Sequence, residues 1–310
     1  MAGLFGSTIT NAEKRANFRK SIESGSITML PGAFNPLTAR LIQDIGGFDG
    51  VYVSGAVLAN DLGLPDIGLT TLTEVAQRAG QIARATDLPV LVDADTGFGE
   101  PMSAARTVAA LEDAGLAGCH LEDQVNPKRC GHLDGKEVVD KEVMVRRISA
   151  AVNERRDPNF IICARTDAAG VNGIDDAIDR AKAYAEAGAD LIFTEALYSP
   201  EDFEKFRAAV DTPLLANMTE FGKTELQSAK TLDGLGYNAV IWPVSSFRVA
   251  MGATEEFLRD LQDTGIQTEW LERMQHRSRL YELVRYQEYN EFDQSVFTYS
   301  KDNYQPTFES

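Results

Sequence analysis

The sequence predicts a (β/α)8 barrel of the TIM type, an α/β fold. Eight short, nearly continuous apolar runs recur along the chain, and such runs are typical of parallel strands that helices cover on both faces. Apolar residues between the runs recur at three- and four-residue spacing, which predicts amphipathic helices. Eight strand–helix units can close into a barrel that leaves no unpaired edge strand. A doubly wound sheet is less well supported, because no G-x-G-x-x-G motif follows the first predicted strand.

The predicted elements follow one another in a regular order. The strands span residues 27–32, 50–55, 89–95, 118–123, 160–166, 191–196, 213–218 and 239–243. The clearest helical patterns between them cover residues 103–116 and 173–188, and each has an Ala-Gly pair near its end that suits a helix C-cap. A further helix is predicted at the N-terminus, before the first strand.

The pattern changes beyond Gly265, where no barrel strand is left to cover. Large and basic residues recur there at helical spacing, namely Trp270, Met274, Arg277, Tyr281 and Val284. We predict one catalytic barrel over residues 1–265, followed over residues 266–310 by a long amphipathic helix and a polar tail. A helix with no strand to cover suggests a contact between subunits of a homo-oligomer.

The composition argues against several classes of function. Lys and Arg number 30 against 47 Asp and Glu, for a formal net charge of −17. That charge disfavours nucleic acid as a partner and docking on an anionic membrane surface. Three cysteines are too few for a disulfide framework, and no apolar run approaches the roughly 18 residues of a membrane span. We therefore expect a soluble, cytoplasmic protein that binds neither nucleic acid nor membrane.

Polar side chains follow the predicted strands at the point where each strand ends. In a (β/α)8 barrel the catalytic groups come from the carboxyl ends of the strands and the loops after them. These positions hold Tyr52, Ser54, Gly55, Asp93, Asp95, Glu122, Asp123, Arg165, Asp167, Glu195, Asn217, Thr219, Ser245 and Arg248. A purely structural barrel has no need of such a gathering, so the sequence predicts an active site at this end.

Three of these acids predict a metal site. Asp93 and Asp95 lie two residues apart, so their side chains point to the same side, and Glu122 on the next strand can approach them. Clustered carboxylates repel one another unless a cation or a proton lies between them, and oxygen ligands suit Mg2+. The alternative is that one or more of them caps a helix or forms a core ion pair. His120 is predicted to be a hydrogen-bonded core residue close to this site.

Two predicted strand-to-helix connections, residues 54–71 and 124–141, are longer than usual, and long connections in compact domains are commonly binding loops. The second contains Cys130 together with three basic residues, Lys128, Arg129 and His132. Nearby positive charge lowers the pKa of a thiol. Cys130 is therefore predicted to exchange a proton near neutral pH.

The motifs of the chain, in order, are VYVSGA, LGLPDIG, LVDADTGFG, HLEDQ, KRCGH, ARTDA, TEA, LLANMTEFG and PVSSFR. In this order and spacing they resemble the isocitrate lyase and phosphoenolpyruvate mutase superfamily, from residue 27 to the C-terminal helix. The KRCGH segment resembles the branch that cleaves 2-methylisocitrate. Isocitrate lyases typically carry KKCGH and an inserted segment that is absent here, and the mutase and oxaloacetate-hydrolase branches generally lack this cysteine.

The resemblance implies a carbon–carbon lyase that cleaves (2S,3R)-2-methylisocitrate to pyruvate and succinate, as in the methylcitrate cycle of propionate catabolism. It implies a retro-aldol-type reaction that depends on Mg2+, with Mn2+ as an alternative. It also implies a homotetramer whose C-terminal helix swaps between neighbouring subunits.

The resemblance further implies roles for matching residues of this chain. Asp93 and Asp95 would hold Mg2+, partly through water. Tyr52, helped by Arg165, is the candidate base for the substrate hydroxyl, and Cys130 would deliver a proton to the carbon released on cleavage. The residues expected to contact the tricarboxylate substrate are Ser54, Gly55, Ala56, Cys130, Gly131, His132, Arg165, Glu195, Asn217, Met218, Thr219, Arg248 and Arg277.

Three other interpretations remain open. The substrate could be isocitrate, 2,3-dimethylmalate or another 2-hydroxy diacid, because one methyl group is worth only about 1–3 kcal/mol of discrimination. A barrel that handles phosphate would have Gly-rich turns after its last two strands, and this chain offers little of that. A catalytically inactive barrel that serves as a binding or assembly module would not explain the polar groups at the strand ends.

Overall fold

The chain folds into the barrel that the sequence predicts. The computed structural model describes residues 4, 6–129, 131 and 135–297. Its strands are β1 (Thr28–Pro31), β2 (Val51–Val53), β3 (Val90–Asp93), β4 (Gly118–Glu122), β5 (Ile161–Thr166), β6 (Leu191–Thr194), β7 (Leu214–Asn217) and β8 (Ala239–Trp242). All eight predicted strands are confirmed, each to within two residues at either end.

The eight strands form one parallel sheet in the order β1-β8-β7-β6-β5-β4-β3-β2. The two ends of this sheet meet at a single bridge between Gly32 and Tyr52. The backbone N–H of Ala33 donates to the Tyr52 carbonyl at 2.9 Å beside it. The sheet therefore closes into a barrel, and all its strands point their carboxyl ends the same way.

The helices lie between and around the strands. They are α1 (Asn11–Ile22), α2 (Pro36–Ile45), α3 (Gly55–Asp61), α4 (Leu72–Ala85), α5 (Pro101–Asp113), α6 (Lys141–Glu154), α7 (Ile174–Glu186), α8 (Pro200–Ala209), α9 (Ala229–Gly234), α10 (Ser245–Thr264), α11 (Arg277–Leu283) and α12 (Tyr286–Phe297). The two clearest helical patterns correspond to α5 and α7. The first long connection contains α3, whose N-cap is Ser54. No helix of the described residues is long and apolar enough to cross a membrane.

Helix α1 covers the amino-terminal end of the barrel. Its Phe18 and Ile22 are buried in the same cluster as the inward-facing residues of the strands, among them Leu30 and Leu91. Lys14 of the same helix donates to the carbonyls at the end of α4 and just beyond it, Ala83 at 2.7 Å and Thr86 at 2.6 Å. The interior is thus a packed core at this end, and only the opposite end is open for a site.

The segment after α10 differs from the single long helix predicted for it. The chain forms a 3-10 turn over Thr268–Arg273 and then the separate helices α11 and α12. Arg285, between α11 and α12, has a φ of 57°, a left-handed conformation that cannot continue a right-handed helix. Helix α11 packs on α2 of the same chain, where Arg40 donates to the Leu283 carbonyl at 3.0 Å.

Candidate active site

A cavity of about 220 Å³ opens at the carboxyl ends of the strands. Ten of its lining residues were predicted as site residues: Tyr52, Ser54, Ala56, Asp93, Gly131, Arg165, Glu195, Asn217, Thr219 and Arg248. Asn60, Asp66, Lys128, Arg129, Phe193, Ile241, Pro243 and Val244 complete the wall. The expectation that catalytic groups lie at the carboxyl ends of barrel strands, which we call the strand-end rule, therefore located the site. Every parallel strand places its last side chains at the same end of the barrel.

Asp93 and Asp95 lie together at the end of β3. Asp93 Oδ1 accepts from the Asp95 backbone N–H at 2.9 Å, and Asp93 Oδ2 accepts from that of Gly55 at 3.1 Å. A Cβ atom at Gly55 would lie 2.9 Å from Asp93 Oδ2 and 3.2 Å from Asp95 Oδ1. Only glycine allows the backbone of α3 to approach the carboxylates this closely.

The ammonium group of Lys128 pairs with two carboxylates beside the cavity. Its Nζ lies 2.7 Å from Asp95 Oδ1 and also forms an ion pair with Asp66. Burial lowers the pKa of Lys128, but Asp95 and Glu122 outweigh burial and raise it. The sequence had assigned Lys128 to the electrostatic field around Cys130, and it missed this pairing because Asp66 lies on a different loop.

Glu122 at the end of β4 is buried beside Arg165. Its Oε2 lies 3.2 Å from Arg165 Nη1, whereas its Oε1 has no hydrogen-bond partner among the described residues. Burial raises the pKa of Glu122, against the opposing effect of Arg165. Burial also raises the pKa of Asp95, to about 6. These two raised pKa values indicate negative charge that the neighbouring cations compensate incompletely. Although burial alone would raise the pKa of Asp93, the nearby His120, Lys128 and Arg165 lower it to about 2.

The donor set at this point fits a divalent cation. Within the described residues, no three His, Cys, Asp or Glu side chains lie close enough together to coordinate a metal ion by themselves. Mg2+, however, usually needs only one or two direct carboxylates, with water and substrate filling its other positions. The unpartnered Glu122 Oε1 and the carboxyl groups of Asp93 and Asp95 offer buried oxygen ligands at neighbouring strand ends. The metal assignment of these three residues stays a prediction.

Arg165 on β5 is fixed by acids on three sides. Its Nε and Nη2 donate to the carboxylate of Asp167 at 2.9 and 3.1 Å. Glu122 and Glu195 approach it from β4 and β6, at 3.2 and 3.4 Å. Although burial alone would raise the pKa of Asp167, Arg165 is the strongest of the cations that lower it to about 2. The guanidinium is thus held in one orientation on the cavity wall, as bidentate pairing requires.

Tyr52 on β2 is bonded to a buried histidine that the sequence had predicted as a hydrogen-bonded residue near the site. The Tyr52 hydroxyl lies 2.6 Å from His120 Nε2, and the two rings stack with an interplanar angle of 4°. Burial, reinforced by Asp93, raises the pKa of Tyr52. Burial also lowers the pKa of His120 to about 4. Both side chains are therefore neutral at pH 7, and the raised pKa of Tyr52 does not favour the role of a base.

The hydrogen-bond pattern assigns the tautomer of His120. Its Nδ1 is buried with no hydrogen-bond partner among the described residues. An unpaired lone pair is tolerated there more readily than an unpaired N–H, so the ring proton belongs on Nε2. Nε2 then donates to the Tyr52 oxygen, which leaves the hydroxyl proton of Tyr52 free to donate into the cavity.

The wall opposite β2 is formed by the ends of β6 and β7. The side-chain amide of Asn217 donates to Glu195 Oε2 at 3.2 Å, and the Thr219 hydroxyl donates to Asn217 Oδ1 at 2.7 Å. Arg248, near the start of α10, donates to the Glu220 carbonyl at 2.6 Å. These contacts place polar side chains and one arginine around the mouth of the cavity.

Some predicted site residues do not line this cavity. Met218 is buried among the outer core residues, where its sulfur accepts from the Gln227 backbone N–H at 3.1 Å. Gly55 contributes a backbone N–H behind the wall. Arg277, at the start of α11, is exposed and does not line the cavity. Cys130 and His132 lie outside the described residues.

The fold and the site define the class of this protein: a (β/α)8 barrel with a charged, partly enclosed cavity at the carboxyl ends of its strands. The family model described as phosphoenolpyruvate phosphomutase matches residues 18–262. The chain belongs to this family, which confirms the superfamily that the motifs indicated.

Close relatives extend the match over nearly the whole chain. A Corynebacterium glutamicum protein called probable 2-methylisocitrate lyase 2 is 73% identical over 308 residues, which cover 99% of this chain and 100% of the relative. A 2-methylisocitrate lyase of Aeropyrum pernix is 47% identical over 278 residues, with 90% and 89% covered.

Solved structures of other members share the fold. A crystal structure of 2,3-dimethylmalate lyase matches with a TM-score of 0.85 and 33% identity, covering 93% of this chain and 96% of that one. A phosphonopyruvate hydrolase in complex with oxalate and Mg++ matches with a TM-score of 0.81 and 26% identity, over 94% and 99%. Magnesium is thus present in a structure of this superfamily.

Proposed function

We propose that the chain is a 2-methylisocitrate lyase that cleaves (2S,3R)-2-methylisocitrate to pyruvate and succinate. The observation that carries the proposal is the 73% identity over 308 residues to a relative named for this activity. The cavity supports it, because a fixed guanidinium, side-chain amides and hydroxyls at its wall suit a substrate with several carboxylates.

The proposal includes Mg2+, with Mn2+ as an alternative, held by Asp93, Asp95 and Glu122. When bound, the ion would polarise the hydroxyl and carboxylate oxygens of the substrate and offset the excess of negative charge. The Mg++ complex of the related phosphonopyruvate hydrolase supports this choice, as does the unpartnered Glu122 Oε1.

The chain's own residues would bind and orient the substrate. Arg165 presents a guanidinium in one orientation to a substrate carboxylate, and Ser54 and Ala56 line the cavity at the start of α3. We assign Tyr52 as a hydrogen-bond donor to the substrate hydroxyl oxygen, oriented by His120. The role of base that the sequence suggested for Tyr52 stays a prediction.

The bond that breaks joins C2, which carries the hydroxyl group, to C3. The hydroxyl hydrogen leaves as a proton, C2 becomes the carbonyl carbon of pyruvate, and the electron pair passes to C3. There the adjacent carboxylate delocalises it. Transfer of the Cys130 thiol proton to C3 would complete succinate, and the thiolate would then take up from water the proton that the hydroxyl group released, so that the reaction consumes and releases no net proton. We keep this role for Cys130 as a proposal.

The remaining parts of the proposal concern the assembly. We propose a cytoplasmic homotetramer in which residues 266–310 contact a neighbouring copy, with residues 1–265 as the catalytic barrel. The end of the family match at residue 262 supports this division. The free, buried thiols of Cys119 and Cys163 agree with a reducing compartment. In this assembly α11 would swap between neighbouring copies, and Arg277 would contact the substrate bound in the neighbouring copy.

The experiment that tests the function is release of pyruvate from 2-methylisocitrate, with isocitrate and 2,3-dimethylmalate assayed in parallel. We expect the largest kcat/KM for 2-methylisocitrate. A larger value for 2,3-dimethylmalate would support the second candidate, which the structural match to that lyase favours. No turnover of any of the three compounds would refute the lyase assignment.

Two further measurements test the proposed groups. Cys130→Ser should fold normally and lose at least about 100-fold in turnover, the usual size of a general-acid contribution, whereas Cys119→Ala should retain turnover because that thiol is buried in β4.

Removal of metal with EDTA should abolish activity, and added Mg2+ should restore it and raise the Tm. If neither the activity nor the Tm changes with EDTA or with Mg2+, the enzyme does not depend on a divalent metal.

A further inference from the structure

The connection between β4 and α6 begins and ends as a pair of antiparallel segments. Gln124 and Val138 form a bridge, and the Val125 backbone N–H donates to the Glu137 carbonyl at 2.8 Å. Both ends of the connection are therefore anchored to each other beside the end of β4. We call these paired residues, 124–125 and 137–138, the stem.

One side chain of the stem holds the backbone just before residue 130. The side-chain amide of Gln124 makes two hydrogen bonds to Arg129: Oε1 accepts from the backbone N–H at 2.9 Å, and Nε2 donates to the carbonyl at 2.9 Å. Gln124 is buried. A buried amide with both its atoms satisfied by one peptide segment holds that segment in position.

A second side chain, next to the stem, holds the backbone just after residue 130. The Lys136 ammonium donates to the Gly131 carbonyl at 2.5 Å and to Asp167 Oδ1 at 2.8 Å. Asp167 is itself bonded to Arg165 on the cavity wall. The Lys136 side chain is 4% exposed, so its charge is kept from water and its two partners are not readily exchanged for solvent.

Gly131 lies directly against the cavity wall. A Cβ atom at this position would lie 2.5 Å from Glu195 Cγ and would also meet Arg165 Nη2. The backbone that Lys136 holds is therefore in contact with two residues of the proposed site.

We propose that Gln124 and Lys136 are positioning residues, which fix the peptide groups on the two sides of residue 130 against the cavity so that the lyase reaction can proceed. The catalytic part of this inference rests on the proposed function, because Cys130 carries a role there. The fixing of the backbone does not, since it follows from the contacts of Arg129 and Gly131.

The test compares Gln124→Ala and Lys136→Met with two control variants. Lys141→Met removes a lysine that pairs with Asp179 on the surface, and Gln287→Ala removes an exposed glutamine bonded to Glu291. Each protein is assayed for kcat and KM with 2-methylisocitrate, for Tm, and for the rate at which trypsin cleaves the native protein after Arg129. Lys136→Arg tests rescue, because a guanidinium can reach both partners of the ammonium.

We expect cleavage after Arg129 to become at least about 10-fold faster in Gln124→Ala and Lys136→Met when each is compared at a temperature well below its own Tm, since the loss of a buried polar group also lowers the Tm. We expect kcat to fall by about 10- to 100-fold, since a displacement of about 1 Å of a reacting group costs that much. KM should change less. Both control variants should behave as the parent protein, and Lys136→Arg should regain most of the lost kcat.

Two outcomes would overturn the inference. Parent-like cleavage rates in both variants would show that these side chains do not fix the backbone. Faster cleavage with an unchanged kcat would show that fixing it does not serve the reaction. If the parent protein itself turns over no substrate, the proposed function fails, and the cleavage rates still decide separately whether Gln124 and Lys136 hold Arg129 and Gly131.

Discussion

At the scale of single residues, the strand-end rule identified the cavity wall but not how its charges pair. Asp93, Arg165 and Glu195 could be named from the sequence because each follows an apolar run. The partners of Lys128 could not, because a loop lysine reaches whatever the path of its loop brings near it. The pairing of Lys128 with Asp66 depends on two loops whose conformations no local pattern specifies.

Gly131 should not tolerate a side chain. In Gly131→Ala the new Cβ would meet Glu195 Cγ at 2.5 Å, so the loop or Glu195 must move, and we expect kcat to fall by at least about 10-fold. Gly234→Ala is the control, because nothing lies within 4 Å of a Cβ there. Steady-state kinetics of both variants measure the effect, and equal kcat values would contradict the close contact.

Lys14 should give the stability a distinctive pH dependence. Burial lowers the pKa of Lys14 from 10.5 to about 8. The folded state therefore binds fewer protons than the unfolded state between pH 8 and pH 10.5, and the contribution of Lys14 to the free energy of unfolding rises with pH across that window. Below pH 8 the contribution is at its lowest and constant.

Urea unfolding of the parent protein and of Lys14→Met, at pH 7.5 and at pH 10, measures this dependence. The free energy of unfolding of the parent, minus that of the variant, should increase by at least about 1 kcal/mol between the two pH values, since one pKa unit corresponds to about 1.4 kcal/mol. A constant or decreasing difference would show that the ammonium stays charged when buried.

At the scale of elements, hydrophobic periodicity predicted all eight strands but failed in the C-terminal segment. The strands were predictable because each is covered on both faces and reads as one apolar run. The break between α11 and α12 was not, because it occurs at Arg285 without a glycine or a proline. Helical spacing in the sequence is compatible with one helix or with two, and packing on α2 decides between them.

Helix α1 should be essential to the stability of the barrel, because it fills the end opposite the site. Phe18 is buried in the inner core, so Phe18→Ala should lower the free energy of unfolding by about 3–5 kcal/mol. Met102→Ala on α5 removes a side chain that is 82% exposed and should change it by less than about 0.5 kcal/mol. Equal losses in urea unfolding would mean that α1 does not close the barrel.

At the scale of the whole molecule, the net charge of −17 and the local charge of the site affect different properties of the protein. The overall charge affects solubility and long-range association. Substrate binding depends on local groups, and Arg129, Arg165 and Arg248 all line the cavity. An acidic protein can therefore bind a tricarboxylate, provided that its cations are gathered at one point.

The exposed apolar side chains of α10 predict that several copies of the chain associate. None of its 20 residues is buried, and Val249 and Leu258 are 72% and 54% exposed. Amphipathic helices normally bury their apolar face. We expect the parent protein to be a tetramer by light scattering and Leu258→Asp to shift it to smaller species, whereas Met102→Asp should remain tetrameric. A parent protein that is monomeric would refute the assembly.

The closure between β1 and β2 has a consequence for how the molecule opens. Gly32 and Tyr52 form the one bridge there, while each of the other neighbouring strands is joined by at least two residue pairs. Because Tyr52 also carries the hydroxyl that faces the cavity, a local opening of the barrel at this point would disrupt the site at the same moment. In hydrogen–deuterium exchange the Ala33 amide should consequently exchange earlier than those of β4 and β5, and a ligand in the cavity should slow it.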